Sequence, residues 1–281
     1  MKILVTGGTG FIGQYVVNAL CDHEVTLLTR KPTSIAPYII CQLDDKEKLN
    51  VALSQVNPDA VIHLAWEGIP DFSEAMCLKN RKLSQNLFEV AANCNVRTVI
   101  VAGSCAEYQG LEGSVSENQW GTHLGALGKI KKQVFEDAST YLQDQQRLVW
   151  LRLFYVFGKG QRHGSLIPSL IHDASHNQKT IINNPEAAQD FIHVSDVADI
   201  IRYCIENEAM QGIINVGNGK LIPVAQIAQW LYEYWNKKQL SHKNQAPSGM
   251  FSNTDKLNSL CQWKPKIDVL SALQQWIDNV R

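Results

Sequence analysis

Apolar residues in this chain come in two rhythms that alternate: short continuous runs and spaced helical faces. Residues 3–5 form a run too short for a helix and closed at once by glycines, which predicts a buried strand. Phe11, Ile12, Tyr15, Val16, Ala19 and Leu20 then fall on one face of a 3.6-residue repeat. Runs at 24–28 and 39–43 read as further strands, 46–56 as a helix, and Asn57-Pro58-Asp59 as a turn. Residues 60–66 are a continuous apolar strand of the parallel-sheet kind. A helix at 75–94, a strand at 97–102, a helical run from Lys129 to 142 and a strand at 147–157 keep the alternation going. The fold this predicts is α/β, a doubly wound parallel sheet.

The first strand, its glycines and the first helix carry the earliest chemical signal. Gly7, Gly10 and Gly13 stand in the pattern G-x-x-G-x-x-G between strand and helix. Glycine can take positive φ in the tight turn and lets backbone approach a pyrophosphate. The free N–H groups of the new helix then face the phosphate charge. Gly7, Thr9, Gly10, Phe11, Ile12 and Gly13 are therefore expected to bind a dinucleotide. In such units an acidic residue about 20 positions further on holds the ribose 2′-hydroxyl. Here that place is Thr29, followed by Arg30. An arginine can bind a 2′-phosphate bidentately, so NADP is expected over NAD, with NAD possible.

Bulk composition narrows the class. With 281 residues, 45% of them hydrophobic, the chain can bury one large domain or one domain with a small lobe. A net charge of -1 suggests neither a nucleic-acid nor an acidic-membrane partner. No stretch approaches the roughly 18 apolar residues of a membrane span. The seven cysteines are scattered and odd in number, with no C-x-x-C, which reads as reduced packing residues of a cytoplasmic protein. A secretory leader is not expected, because the first residues are already the nucleotide-binding strand. Nothing in the pattern predicts a metal site.

T-G-G-T-G-F-I-G at 6–13 resembles the signature of the extended short-chain dehydrogenase/reductase superfamily. Its members include NAD(P)-dependent epimerases, dehydratases and reductases of nucleotide sugars. The resemblance implies that Leu43 lies near the adenine and that the strand end Leu64, Ala65 and Trp66 lies against the cofactor. Trp66 departs from the usual small residue, and His63 reads as a packed core histidine. Asn80 matches an asparagine that braces the active-site strand. G-S-C-A-E-Y at 103–108 resembles the strand-five signature S-S-x-x-x-Y and implies that Ser104 hydrogen-bonds a substrate oxygen. Sugar dehydratases carry an Asp-Glu pair just after this hydroxyl, where this chain has Cys105 and Ala106. Glu107 is one step too far along and is expected to point to the other side of an extended segment. Elimination is not expected. The wording resembles the reductases of nucleotide-linked 4-keto-6-deoxyhexoses.

The resemblance also implies a Tyr-x-x-x-Lys pair in which the lysine holds the nicotinamide ribose and lowers the tyrosine pKa from roughly 10. The lysine matches Lys129, but Gly125 stands where the tyrosine belongs, and sliding the match to Lys131 or Lys132 puts Leu127 or Gly128 there instead. The proton donor could be His123, Tyr108 or an ordered water, or ordinary hydride chemistry could be lost.

Farther on, Arg152, the segment 189–198 and the turn 213–219 match the rest of the family pattern. Asp190 and His193 are expected to stabilise a domain junction. A helix is expected to open at Ser165, and the chain to end in a helical lobe. Residues 1–164 and 190–220 are expected to form the dinucleotide-binding domain, and 165–189 and 221–281 a smaller substrate-binding lobe. The function implied is an NAD(P)-dependent reductase or epimerase of a nucleotide-activated 6-deoxy sugar. The alternative is a cofactor-binding regulator resembling the NmrA-like sensors. Helices at 75–94 and 129–142 would suit a homodimer face.

Overall fold

The structure is a computed structural model that describes residues 1–142, 146–178, 187–236 and 247–278. The apolar runs become strands. The first half of the chain runs β1 (Lys2–Thr6), α1 (Phe11–Ala19), β2 (Glu24–Thr29), β3 (Tyr38–Ile40), α2 (Lys46–Val56), β4 (Ala60–His63), α3 (Glu74–Asn93) and β5 (Thr98–Ala102). A 3₁₀ turn at Cys105–Tyr108 then precedes β6 (Gly113–Val115), α4 (Ala126–Tyr141) and β7 (Arg147–Leu153). The second half holds β8 (Tyr155–Phe157), α5 (Leu166–Ser175), β9 (Ala188–Gln189), β10 (Phe191–His193), α6 (Val194–Glu206) and β11 (Gly212–Val216). It closes with β12 (Ile222–Pro223), α7 (Val224–Asn236), β13 (Met250–Ser252), α8 (Asp255–Cys261) and α9 (Val269–Asp278).

Seven strands form one sheet in the order β11-β7-β5-β4-β1-β2-β3, with every pairing parallel. The chain moves outward from β1 through β2 and β3, then crosses to β4 on the other side. The order therefore reverses between β1 and β4, and open α/β sheets bind ligands at the carboxyl ends of the strands there.

Period-two alternation divides the core. Ile3 and Val5 join Val16, Leu20 and the α6 residues Val197 and Ile201 on one face. Leu4 joins Leu49, Leu53, Leu87, Phe88 and the α4 residues Ile130 and Val134 on the other. Each such side chain, fully buried, contributes about 1.5–3 kcal/mol, and a one-residue register slip would exchange the two sets.

Three expected strands end early, the first being the run at 39–43, which stops as β3 at Ile40. The run at 60–66 stops as β4 at His63, freeing Leu64 to Trp66 for the cleft. The run at 147–157 breaks at Phe154, because β8 leaves the main sheet to pair with β10, Tyr155 against Phe191. A third apolar cluster gathers α5, α7 and α9 around Ile167, Leu170, Ile227, Leu231, Leu273 and Ile277. Of the segments expected in the smaller lobe, 179–186, 237–246 and 279–281 lie outside the described residues.

Asp190, between β9 and β10, ties the turn after β11 to β13. Its buried carboxylate accepts from Asn218 N at 2.6 Å, Gly219 N at 3.1 Å, and Ser252 N and Oγ at 2.8 and 2.6 Å. His193 caps α6, its Nδ1 accepting from Ser195 N at 3.3 Å. Neither side chain lines the cleft described below.

Candidate active site

A cleft of about 660 Å³ opens where the strand order reverses. One end is built by the glycine turn. Gly7 has φ +74°, and a Cβ there would lie 2.7 Å from Ala65 N. A Cβ on Gly13 would lie 2.2 Å from Gly7 O, so the turn and α1 meet backbone to backbone. Gly10 begins α1 and offers no side-chain cap, leaving the first-turn N–H groups to face the cleft, where an anion would satisfy them. Gly7, Thr9, Gly10, Phe11, Ile12 and Gly13 all line the cleft, as do Arg30, Leu43, Leu64, Ala65, Trp66 and Ser104. The cradle suits a dinucleotide pyrophosphate.

At the carboxyl end of β2, Arg30 does not stand free. Its Nη1 lies 3.0 Å from Oε1 of Glu67, on the loop after β4. Oε2 of Glu67 is 2.8 Å from Lys79 Nζ. Asn80 holds the backbone of Glu67 from both sides: its Oδ1 accepts from Glu67 N at 2.6 Å and its Nδ2 donates to Glu67 O at 3.0 Å. Hydrogen bonding to Lys79, aided by the charge of Arg30, holds the Glu67 carboxyl below the usual range.

At the opposite end, Ser104 Oγ accepts from Ala106 N at 3.1 Å. The residues after it are a 3₁₀ turn rather than an extended segment. Glu107 consequently turns inward, where its carboxylate accepts from Ser104 N at 2.8 Å, from Trp150 Nε1 at 3.1 Å and from Arg152 Nε at 2.8 Å. Glu107 and Arg152 are both wholly buried; burial pushes the Glu107 carboxyl up against the pull of Arg152. Neither lines the cleft. Tyr108 is buried too, donating to Asn215 Oδ1 at 2.7 Å, and burial raises its phenol to about 12. His123 is exposed and, like Tyr108, absent from the cleft wall. Among the described residues no tyrosine lines the cleft.

Lys129 is not brought to the cleft. Its side chain is 58% exposed, with Nζ 3.9 Å from Glu74 Oε1. The reason is helical phase. Helix α4 starts at Ala126, not Lys129, and packs on the 3₁₀ turn through Gly128, where a Cβ would lie 2.2 Å from Ala106 O. That contact turns Lys131 inward, two residues and about 200° from Lys129. Lys131 is buried and donates from Nζ to Ala102 O at 2.6 Å. The ring of Trp66, part of the cleft wall, has its centroid 3.9 Å from that ammonium. Burial lowers Lys131 to about 8, against the pull of Glu107 and Cys77. Gly125 also lies outside the cleft wall; its N–H caps onto Gln109 Oε1 at 2.8 Å.

His63 ties the phosphate turn to Asn80. Thr6 Oγ1 accepts from Ala65 N at 3.4 Å and lies 2.7 Å from His63 Nδ1; His63 Nε2 lies 3.0 Å from Ser84 Oγ, which donates to Asn80 O at 2.9 Å. Those directions assign the proton to Nε2, so the ring is neutral and relays from the phosphate turn to the asparagine that holds Glu67. Burial, aided by the Lys131 charge, lowers it to about 3.

The cleft joins a dinucleotide cradle after β1 to a hydroxyl just after β5, two strands away, and residues 3–217 match the NAD dependent epimerase/dehydratase family. The chain belongs to that family. It is 23% identical over 313 residues to the dTDP-4-dehydro-6-deoxyglucose reductase of Escherichia coli, covering 99% of this chain and 97% of that one. It is 28% identical over 242 residues to a GDP-6-deoxy-D-talose 4-dehydrogenase of Aggregatibacter actinomycetemcomitans, covering 83% of this chain and 80% of the relative. The fold superposes on MoeE5 solved with UDP-glucuronic acid and NAD, with TM-score 0.86, 24% identity, and 100% and 99% of the two chains covered. The family expected from the glycine turn and the Ser104 segment is met, as are the parallel sheet and the expectation of an enzyme. Among the described residues no helix is long and apolar enough to cross a membrane.

Sequence reasoning missed Glu67 and set Lys131 aside because Leu127, not a tyrosine, stands four residues before it. Lys131 stood two residues from the expected lysine, and only the phase of α4 separates them. Glu67 had a weaker signal, a carboxylate just beyond the strand end at Trp66.

Proposed function

We propose that this chain transfers hydride at a carbon of a nucleotide-activated 6-deoxy sugar, as a reductase or an epimerase. The observation that carries this reading is that one cleft contains both the phosphate cradle at Gly7–Gly13 and the Ser104 hydroxyl. A nicotinamide dinucleotide held there supplies or accepts the hydride. Ser104 Oγ already accepts from Ala106 N, which leaves its proton to be donated to the sugar oxygen and orients that oxygen. The role that the resemblance gives to Lys129 passes in this reading to Lys131, which is not itself part of the cleft wall and acts on the site through the Trp66 ring above its cation. Gln161, Arg162 and Ser165 complete the cleft next to the α5 cluster, and that cluster is the lobe proposed to hold the sugar nucleotide. Arg162 gives its phosphates a charged donor. The 2′-phosphate preference expected from Arg30 needs a free guanidinium, so the choice between NAD and NADP is made at the Arg30–Glu67 pair. The working form proposed is a cytoplasmic homodimer packed through α3 and α4, a reading supported by the exposed Leu78 on α3.

The test is incubation with NADH or NADPH and a panel of nucleotide 4-keto-6-deoxysugars, following nicotinamide absorbance and sugar products together. Oxidation of the reduced cofactor with a new 4-hydroxy sugar supports the reductase. Interconversion of epimers without net cofactor change supports the epimerase. Tight binding of cofactor and sugar nucleotide with no turnover would leave the regulatory reading, which the lack of a cleft tyrosine favours.

A further inference from the structure

The geometry points to Glu67 as the residue that selects the cofactor, favouring a bare ribose 2′-hydroxyl over a 2′-phosphate. The inference rests on the reading of the cleft as a dinucleotide site. Such sites discriminate at the carboxyl end of the second strand, where a carboxylate accepts from the ribose or an arginine takes the phosphate. In this chain that end is Thr29 and Arg30, so β2 supplies no carboxylate there. Glu67 brings one from a different element, the loop after β4, and its Oε1 lies 3.0 Å from Arg30 Nη1. Both side chains line the cleft, together with Thr29.

Which partner of this pair yields decides the selectivity. The side chain of Arg30 is 62% exposed and that of Glu67 23%. Arg30 reaches Glu67 from one direction only, whereas Glu67 is fixed from several. Asn80, buried on α3, holds its backbone N–H and carbonyl, and Lys79 holds its second carboxylate oxygen at 2.8 Å. The carboxylate therefore stays while the guanidinium can swing. A 2′-phosphate approaching Arg30 has to break the pair and then lie beside a fixed negative charge. A ribose hydroxyl meets no such repulsion: it donates to the carboxylate, and Arg30 remains where it is. Lys31, the next cation along the chain, is not part of the cleft wall and offers the phosphate no compensation there.

Titration of the full chain with NADH and with NADPH, read by nicotinamide fluorescence, measures the preference without requiring turnover. Wild type is expected to bind NADH more tightly. Glu67→Gln is expected to move the NADPH:NADH affinity ratio toward NADPH by about 10–100-fold, the equivalent of one charged hydrogen bond. Adding Arg30→Ala to Glu67→Gln should remove that gain, because the freed guanidinium is what the phosphate uses. Matching thermal midpoints for the variants and the wild type exclude misfolding as the cause. A wild type that prefers NADPH, or a ratio unmoved by Glu67→Gln while both dinucleotides bind, overturns the inference and leaves the functional reading intact. Binding of neither dinucleotide overturns both.

Discussion

Two glutamate–arginine pairs in this molecule have nearly the same contact length and opposite surroundings. Glu107 and Arg152 meet at 2.8 Å with both side chains sealed from solvent, while Glu67 and Arg30 meet at 3.0 Å at the rim of an open cleft. The sealed pair is enclosed by partners: Trp150 and Ser104 N donate to Glu107, and the Arg152 guanidinium lies over the rings of Tyr108 and Trp120. It cannot exchange partners, and it braces the underside of the turn that carries Ser104. The open pair can exchange partners, and that freedom lets it read a ligand. Distance alone does not separate a brace from a selector; the solvent around the pair does. Lys131 and Lys129 repeat the contrast within two residues of one helix.

Breaking the sealed pair is expected to have the largest effect. Glu107→Gln or Arg152→Leu leaves one buried charge uncompensated and should cost about 3–5 kcal/mol of stability, measured by denaturant unfolding. A loss no larger than that of an exposed pair would erase the distinction drawn above.

The lysine contrast comes next. Lys131→Met removes the cation behind the Trp66 wall and should lower turnover by about 10²-fold, the scale of a small misplacement of the site, whereas Lys129→Met should leave it near wild type. Steady-state kinetics on an accepted nucleotide sugar would check this. Gly125→Tyr sharpens the same point: a phenol at that position starts outside the cleft wall and is expected to bring no acceleration.

His63 tests the sealed interior by pH. An unfolded imidazole titrates near 6.5 and the buried one near about 3. Between those values the unfolded chain binds the extra proton, so stability falls as pH drops, by about 1.4 kcal/mol per unit. His63→Gln should flatten that slope in unfolding curves taken from pH 7 to pH 4.5.

The smallest effect is expected where solvent is most plentiful. Arg30→Ala should change stability by no more than about 1 kcal/mol, readable as a thermal midpoint, even though it alters ligand choice. A large destabilisation would make Arg30 a brace after all.

How far the site could be read from sequence follows from how local each part is. The glycine turn could be read because strand, turn and helix are contiguous, and the close approaches of Gly7 and Gly13 demand those residues wherever the rest of the chain goes. Ser104 could be read for the same reason, sitting at the end of a short apolar strand. Glu107 was misplaced because Ser104 to Glu107 form a capping box, a turn that the Ser-x-x-Glu spacing signals and that an extended reading of the segment passes over. Lys129 was misassigned because the phase of α4 is set by Gly128 against Ala106, a contact across the fold. The break at Phe154 and the pairing of Glu67 with Arg30, 37 residues apart, likewise depend on the tertiary arrangement.

The strand order also has a consequence for how the protein is made. β1 lies inside the sheet, with β2 on one edge and β4 on the other, and translation delivers these partners at different times. At about 5–20 residues per second, roughly 3–11 s separate the synthesis of β1 from that of β4. Through that interval the nascent chain carries an apolar strand with an unpaired edge, the kind of surface that invites mispairing. The phosphate turn thus leaves the ribosome before its floor exists, because Ala65 can close on Gly7 only after the fourth strand has emerged.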